Sequence, residues 1–108
     1  MLIANINSLE KSAGVPYTEI VREPSMSVGL YELAAGTVDL QQPHTEDEVY
    51  YVIAGRSQFS LDEAEIAIEP GTVIFVPAGK DHRFHTITED LSILVFFAPA
   101  EYSRGKSS

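Results

Sequence analysis

Two histidines and one carboxylate carry the chemistry that this sequence offers. His44 and Glu48 lie four residues apart in Gln42-Pro43-His44-Thr45-Glu46-Asp47-Glu48, and His82 follows the turn-forming run Pro77-Ala78-Gly79-Lys80-Asp81. Imidazole and carboxylate are donors for divalent first-row metals, and two of one with one of the other leave coordination positions open for a substrate or oxygen. The chain has no cysteine, which removes thiolate metal sites and cysteine nucleophiles.

Extended chain alternates its side chains between two faces. Gln42 and His44 therefore project together, while Glu48, Tyr50 and Val52 share one face of the next segment and Val49, Tyr51 and Ile53 share the other. Beyond Glu48 both faces are apolar, which predicts a central strand buried on both sides. An inward carboxylate there costs several kcal/mol, as an order of magnitude, unless it is paired or coordinated. No Lys or Arg stands nearby, so a cation shared with imidazoles is the simplest solution. His82 shares a face with Phe84 and Thr86, whereas His85 falls with Arg83 on the opposite face and is expected at the surface.

These residues must be positioned by β-structure. Short runs of Val, Ile, Phe, Tyr and Thr alternate with Gly, Pro, Asp and Asn signals at roughly ten-residue spacing, the pattern of a sandwich or barrel. Strands are expected at Thr18–Arg22, Met26–Leu33, Thr37–Leu40, Glu48–Ile53, Ser57–Leu61, Glu65–Ile68, Thr72–Val76, His82–Thr86 and Leu91–Phe97. Asp62-Glu63-Ala64, Glu69-Pro70-Gly71 and Pro77-Ala78-Gly79 read as turns. Only Ser8–Gly14 and Glu101–Ser108 look like helix or coil, and the latter is expected to be a flexible tail. No apolar stripe of helical period appears, so the fold class is all-β. The 108 residues fit one domain spanning the chain.

A net charge of −9, without a Lys/Arg cluster, argues against nucleic acid and anionic membrane as partners. The N-terminal residues have neither the basic start of a secretory signal nor the length of a membrane span. A cytoplasmic location is the expectation, with which the absence of cysteine agrees.

Laid side by side, the two segments resemble the paired motifs of the cupin family. The first, G-x-x-x-x-x-H-x-H-x-x-x-E-x-x-x-x-x-x-G, runs through Gly36, Gln42, His44, Glu48 and Gly55 (residues 36–55). The second, G-x-x-x-x-x-P-x-G-x-x-H-x-x-x-N, runs through Gly71, Pro77, Gly79, His82 and Thr86 (residues 71–86). Every spacing is kept over about half of the chain. Gln42 stands where a histidine is usual, and Thr86 where an asparagine is usual. The resemblance implies a jelly-roll, double-stranded β-helix barrel with a metal inside, often assembled as a dimer.

On this reading His44, Glu48 and His82 hold one divalent transition metal ion: Fe, Mn, Ni or Zn. Gln42 either adds an amide oxygen, as the phosphomannose isomerases resemble it in opening their zinc site with Gln-x-His, or stays outside the coordination sphere. Tyr50 is the candidate catalytic residue; the plainer alternative is a core tyrosine with its hydroxyl satisfied locally. Glu46 and Asp47 are read as a solvated turn at the barrel mouth, with Glu46 able to approach the metal if the turn is tight. The expected function is a metal-dependent enzyme, of dioxygenase or lyase type, acting on a small organic molecule. A non-catalytic binding or sensing module and a sugar isomerase or epimerase are the alternatives. Apolar residues on both faces of Glu48–Ile53 suggest a homodimer.

Overall fold

The computed structural model describes residues 1–11, 13–39 and 43–102. Gln42 and Leu40 lie outside the described residues, as do residues 103–108 of the expected tail. The described chain forms a six-stranded antiparallel sheet: β1 (Tyr17–Glu23), β2 (Met26–Leu33), β3 (Asp47–Leu61), β4 (Ala64–Ile68), β5 (Val73–Val76) and β6 (His82–Ala98). The pairing order is β1-β2-β6-β3-β4, with β5 added alongside β3. Before β1 lies a 3-10 turn, Ile6–Ser8, capped by the Asn5 side chain.

Two long strands replace four expected short ones. Glu48–Ile53 and Ser57–Leu61 are one 15-residue strand, and His82–Thr86 and Leu91–Phe97 are one 17-residue strand. They pair along their whole length, from Asp47 opposite Ala98 to Leu61 opposite His82. Register shifts between Val52 and Gln58 bend this ribbon without ending it, which is what bulges do. Gly55 permits the bend: its φ is 99°, and a Cβ there would lie 2.3 Å from the Asp90 carbonyl oxygen.

The coiled ribbon encloses the core. Tyr50 and Val52 of β3, Ile74 and Val76 of β5, Leu91, Ile93, Val95 and Phe97 of β6, and Tyr31 and Leu33 of β2 all point inward, with Phe59 and Phe84 from the far end of the ribbon. Each such side chain contributes about 1.5–3 kcal/mol through burial.

Two expectations need correction. The face of β3 carrying Val49, Tyr51 and Ile53 is not buried. Tyr51 is 43% exposed, and its neighbours on β5, Val73 and Phe75, are 66% and 57% exposed. Residues 37–39 of the expected strand Thr37–Leu40 pair with none of the described strands. Instead the buried Asp39 carboxylate accepts the Phe84 N–H at 2.9 Å and the Tyr31 hydroxyl at 2.5 Å. A side chain here makes the link that a backbone carbonyl makes in a ladder.

Candidate metal centre

His44 precedes β3, Glu48 is near its start facing inward, and His82 opens β6. The turn before His82 is laced to the segment before β3: the Gly79 N–H donates to the His44 carbonyl at 2.7 Å, and the Ala78 N–H donates to Asp47 Oδ1 at 2.8 Å. The two sequence segments are thereby held edge to edge. One donor atom each from His44, Glu48 and His82 then falls within 4.8 Å of the others. All three are buried, at 8%, 1% and 3% exposure.

The orientation of each imidazole follows from its partners. His82 Nδ1 lies 2.8 Å from the Lys80 carbonyl oxygen, which can only accept, so Nδ1 carries a proton. Nε2 is left facing the centre, 2.8 Å from Glu48 Oε1 and 3.0 Å from the Tyr50 hydroxyl. His44 Nε2 lies 2.9 Å from Glu101 Oε2, while its Nδ1 faces Glu48 Oε1 at 3.6 Å.

Among the described residues, three buried polar atoms, His44 Nδ1 and both oxygens of Glu48, have no hydrogen-bond partner; the short approach of His82 to Oε1 brings opposite charges together without good alignment. A buried polar atom left unpaired costs about 1–3 kcal/mol. Three of them converging beside a fourth donor make a cradle for a cation, and two nitrogens with a carboxylate suit iron, manganese, nickel or zinc.

Charges rest on the same geometry. Burial disfavours the ionised Glu48, but the adjoining imidazoles of His44 and His82 outweigh it and hold the carboxyl below its usual range. Burial likewise opposes the charged imidazoles. For His44, Glu101 and then Glu48 prevail and push it up to about 9; for His82, Glu48 and the Lys80 carbonyl raise it. Without a metal, protons do the neutralising.

Aromatic rings wall the centre. Phe97 lies 4.8 Å from the His44 ring, and Tyr50 and Phe59 lie 6.0 and 6.1 Å from His82. Tyr50 is fully buried, with its hydroxyl on His82. His85 sits on the outer side of β6 with Nε2 2.7 Å from Glu65, as its parity predicts. A cleft of about 590 Å³ lined by Val15, Leu33, Thr37, Val38 and Leu91 contains none of the three donors.

Glu101, Tyr17 and Gly29 were not legible as residues near the centre, and Glu46 was read mainly as solvated. Glu46 is buried, not part of a solvated turn: it accepts the Thr45 hydroxyl and, at 2.8 Å, the Tyr102 N–H. Glu101 is buried against His44 instead of opening a flexible tail, and its N–H donates to the buried Ser27 Oγ at 2.9 Å. The Tyr17 hydroxyl is buried without a hydrogen-bond partner among the described residues, its ring edge-on to Phe97. That ring occupies the space over Gly29, where a Cβ would lie 2.1 Å from it. The only signal for this last pair was a glycine within a strand.

Comparison with known proteins places this geometry. The family described as "Cupin domain" matches residues 29–97. SCO3923, an uncharacterized protein of Streptomyces coelicolor, is 49% identical over 85 residues, covering 79% of this chain and 81% of its own. An acireductone dioxygenase of Exiguobacterium sibiricum is 25% identical over 96 residues, covering 84% of this chain; the chain spans about half the length (52%) of that relative. Among solved structures, the TT1209 protein of Thermus thermophilus superimposes with a TM-score of 0.74 at 26% identity, over 93% of this chain and 99% of its own.

Proposed function

The chain belongs to the cupin family, and from that premise we propose that it is a metal-dependent enzyme acting on a small organic molecule. His44 through Nδ1, Glu48, and His82 through Nε2 would hold one Fe, Mn, Ni or Zn ion. The observation that carries this reading is the set of buried atoms on His44 and Glu48 that have no hydrogen-bond partner among the described residues. The metal would supply Lewis acidity or a site for oxygen at the positions left open by three protein donors. Gln42 remains a fourth donor by proposal alone.

The chain's own residues do the rest. The Lys80 carbonyl fixes the His82 tautomer, and aromatic rings exclude water from the donors. The Tyr50 hydroxyl, 3.0 Å from His82 Nε2, is placed to hold or deliver a proton at the edge of the centre. Similarity to proteins named acireductone dioxygenases supports oxygen chemistry within the enzyme reading. The enzyme is proposed to be a cytoplasmic homodimer. Among the described residues no helix is long and apolar enough to cross a membrane.

Elemental analysis of freshly purified protein, beside a His44→Ala/His82→Ala double variant, tests the centre. The wild type should carry close to one transition metal per chain and the double variant almost none. Equal metal in both would refute the site. Oxygen uptake by the iron-loaded protein with diketone or carboxylate substrates tests the dioxygenase reading, and no uptake with any of them argues for a lyase or a binding module.

A further inference from the structure

Glu101 lies outside both sequence segments that build the centre, yet its carboxylate is the closest partner of one of the donors. It is held there by residues from three separate parts of the chain. The Arg22 guanidinium of β1 donates to the Glu101 carbonyl at 2.9 Å, and the Glu101 N–H donates to Ser27 Oγ of β2 at 2.9 Å. The next N–H, of Tyr102, donates to the buried Glu46 at 2.8 Å. The Tyr102 ring lies over the His44 imidazole, centroids 5.6 Å apart. The turn after β6 is thus clamped on both sides of Glu101, and the carboxylate is buried against His44 Nε2 at 2.9 Å.

A carboxylate oxygen only accepts, so His44 Nε2 must carry a proton. The two ring nitrogens point away from each other, so when a metal displaces the second proton of the ring, it is Nδ1 that turns a lone pair toward Glu48 and His82. We propose that Glu101 is a positioning residue for the metal centre: it fixes the His44 tautomer so that Nδ1 binds the ion. A ligating histidine whose other N–H meets a carboxylate is held in orientation and made a stronger donor, and loss of such a partner weakens metal binding 10–100-fold, as an order of magnitude. The inference rests on the metal-centre reading above. It adds that the C-terminal turn belongs to the centre, and it assigns which nitrogen of His44 faces the ion.

The test uses zinc as probe. Long-range 1H–15N correlation spectra of the zinc-loaded wild type should show His44 protonated at Nε2 and metal-bound at Nδ1, with His82 bound through Nε2. Glu101→Ala should bind zinc about 10–100-fold more weakly while keeping its fold by circular dichroism, with Glu101→Gln, which keeps an acceptor oxygen, in between. Arg22→Ala, which loosens the turn but leaves the carboxylate, should lose less than Glu101→Ala. The spectra of the wild type decide the matter even where a variant fails to fold. Zinc bound through His44 Nε2, or undiminished affinity in folded Glu101→Ala, overturns the role of Glu101 alone. A wild type that takes up no zinc overturns the centre and this inference together.

Discussion

Glu48 lies opposite Phe97 and His82 opposite Leu61, near the two ends of the β3–β6 ribbon, yet their side chains meet at 2.8 Å. Laid flat, the ribbon would separate them by roughly 40 Å at about 3.3 Å per residue. Its coiling is what assembles the centre, so a metal held there ties the ends of the ribbon together. Added zinc should therefore raise the melting temperature, with a gain of about 2.7 kcal/mol at one hundred times the dissociation constant. Thermal melts with and without zinc check this, and the His44→Ala/His82→Ala variant should show no shift.

Protonation should act on the metal-free and metal-bound forms in opposite directions. The folded His44 imidazole is pushed up to about 9 from an ordinary 6.5, by Glu101 and Glu48 against the opposing effect of burial. A raised value means that the folded state holds the proton more tightly. The resulting stabilisation is complete below about pH 6.5 and is lost as pH rises through 9. Melts of metal-free protein should fall across that window. Zinc competes with the same proton, so apparent zinc affinity should rise between pH 7 and 9. Parallel trends in the two titrations would contradict the assignment.

Asp39 accepts from both Tyr31 and Phe84 in the interior. Asp39→Ala removes both acceptors and leaves a buried hydroxyl and a buried N–H unpaired. The expected loss is about 2–4 kcal/mol, since each orphaned group costs about 1–3 kcal/mol and some relaxation follows. Urea unfolding measures it. A loss below about 0.5 kcal/mol would show that water replaces the carboxylate without cost.

Thr86 has φ of 51°, in the left-handed region that a β-branched residue adopts only at a cost. Asparagine tolerates this region, which gives a backbone reason for the asparagine usual at this motif position. Thr86→Asn should stabilise the fold by about 0.5–1 kcal/mol without altering zinc affinity. Chemical denaturation beside a zinc titration separates the two effects.

On the outer sheet face Val49 pairs with Phe75 and Phe96, and Tyr51 pairs with Val73 and Leu94, giving apolar rows that cross three strands. This is the surface through which the proposed homodimer would form. Sedimentation should give a dimeric mass for the wild type at micromolar concentration and a monomeric one for Phe75→Asp. A monomeric wild type would refute the dimer.

The convergence of His44, Glu48 and His82 was legible because parity and spacing are local. Strand alternation turns Glu48 inward, and a Pro-Gly turn sets the start of β6 at His82. Glu101 was not, since a lone carboxylate beyond the last strand carries no periodicity. Its meaning comes from Arg22, Ser27 and Glu46, none of which is near it in sequence. The strands read as four were two, because Gly55 looks like a terminator in sequence while in space it lets one backbone cross another. Asp39 misled in the opposite sense: its segment alternates like a strand, but the side chain takes over the bonding.

Tyr17 and Gly29 divide one side chain's worth of volume between neighbouring strands, all of it on β1. The two positions therefore cannot change independently: any side chain gained at 29 must be matched by a smaller one at 17. Such an exchange would keep the core filled but would take away the one phenol that reaches the interior from β1, so conserving volume and conserving that hydroxyl are separate demands on the same pair.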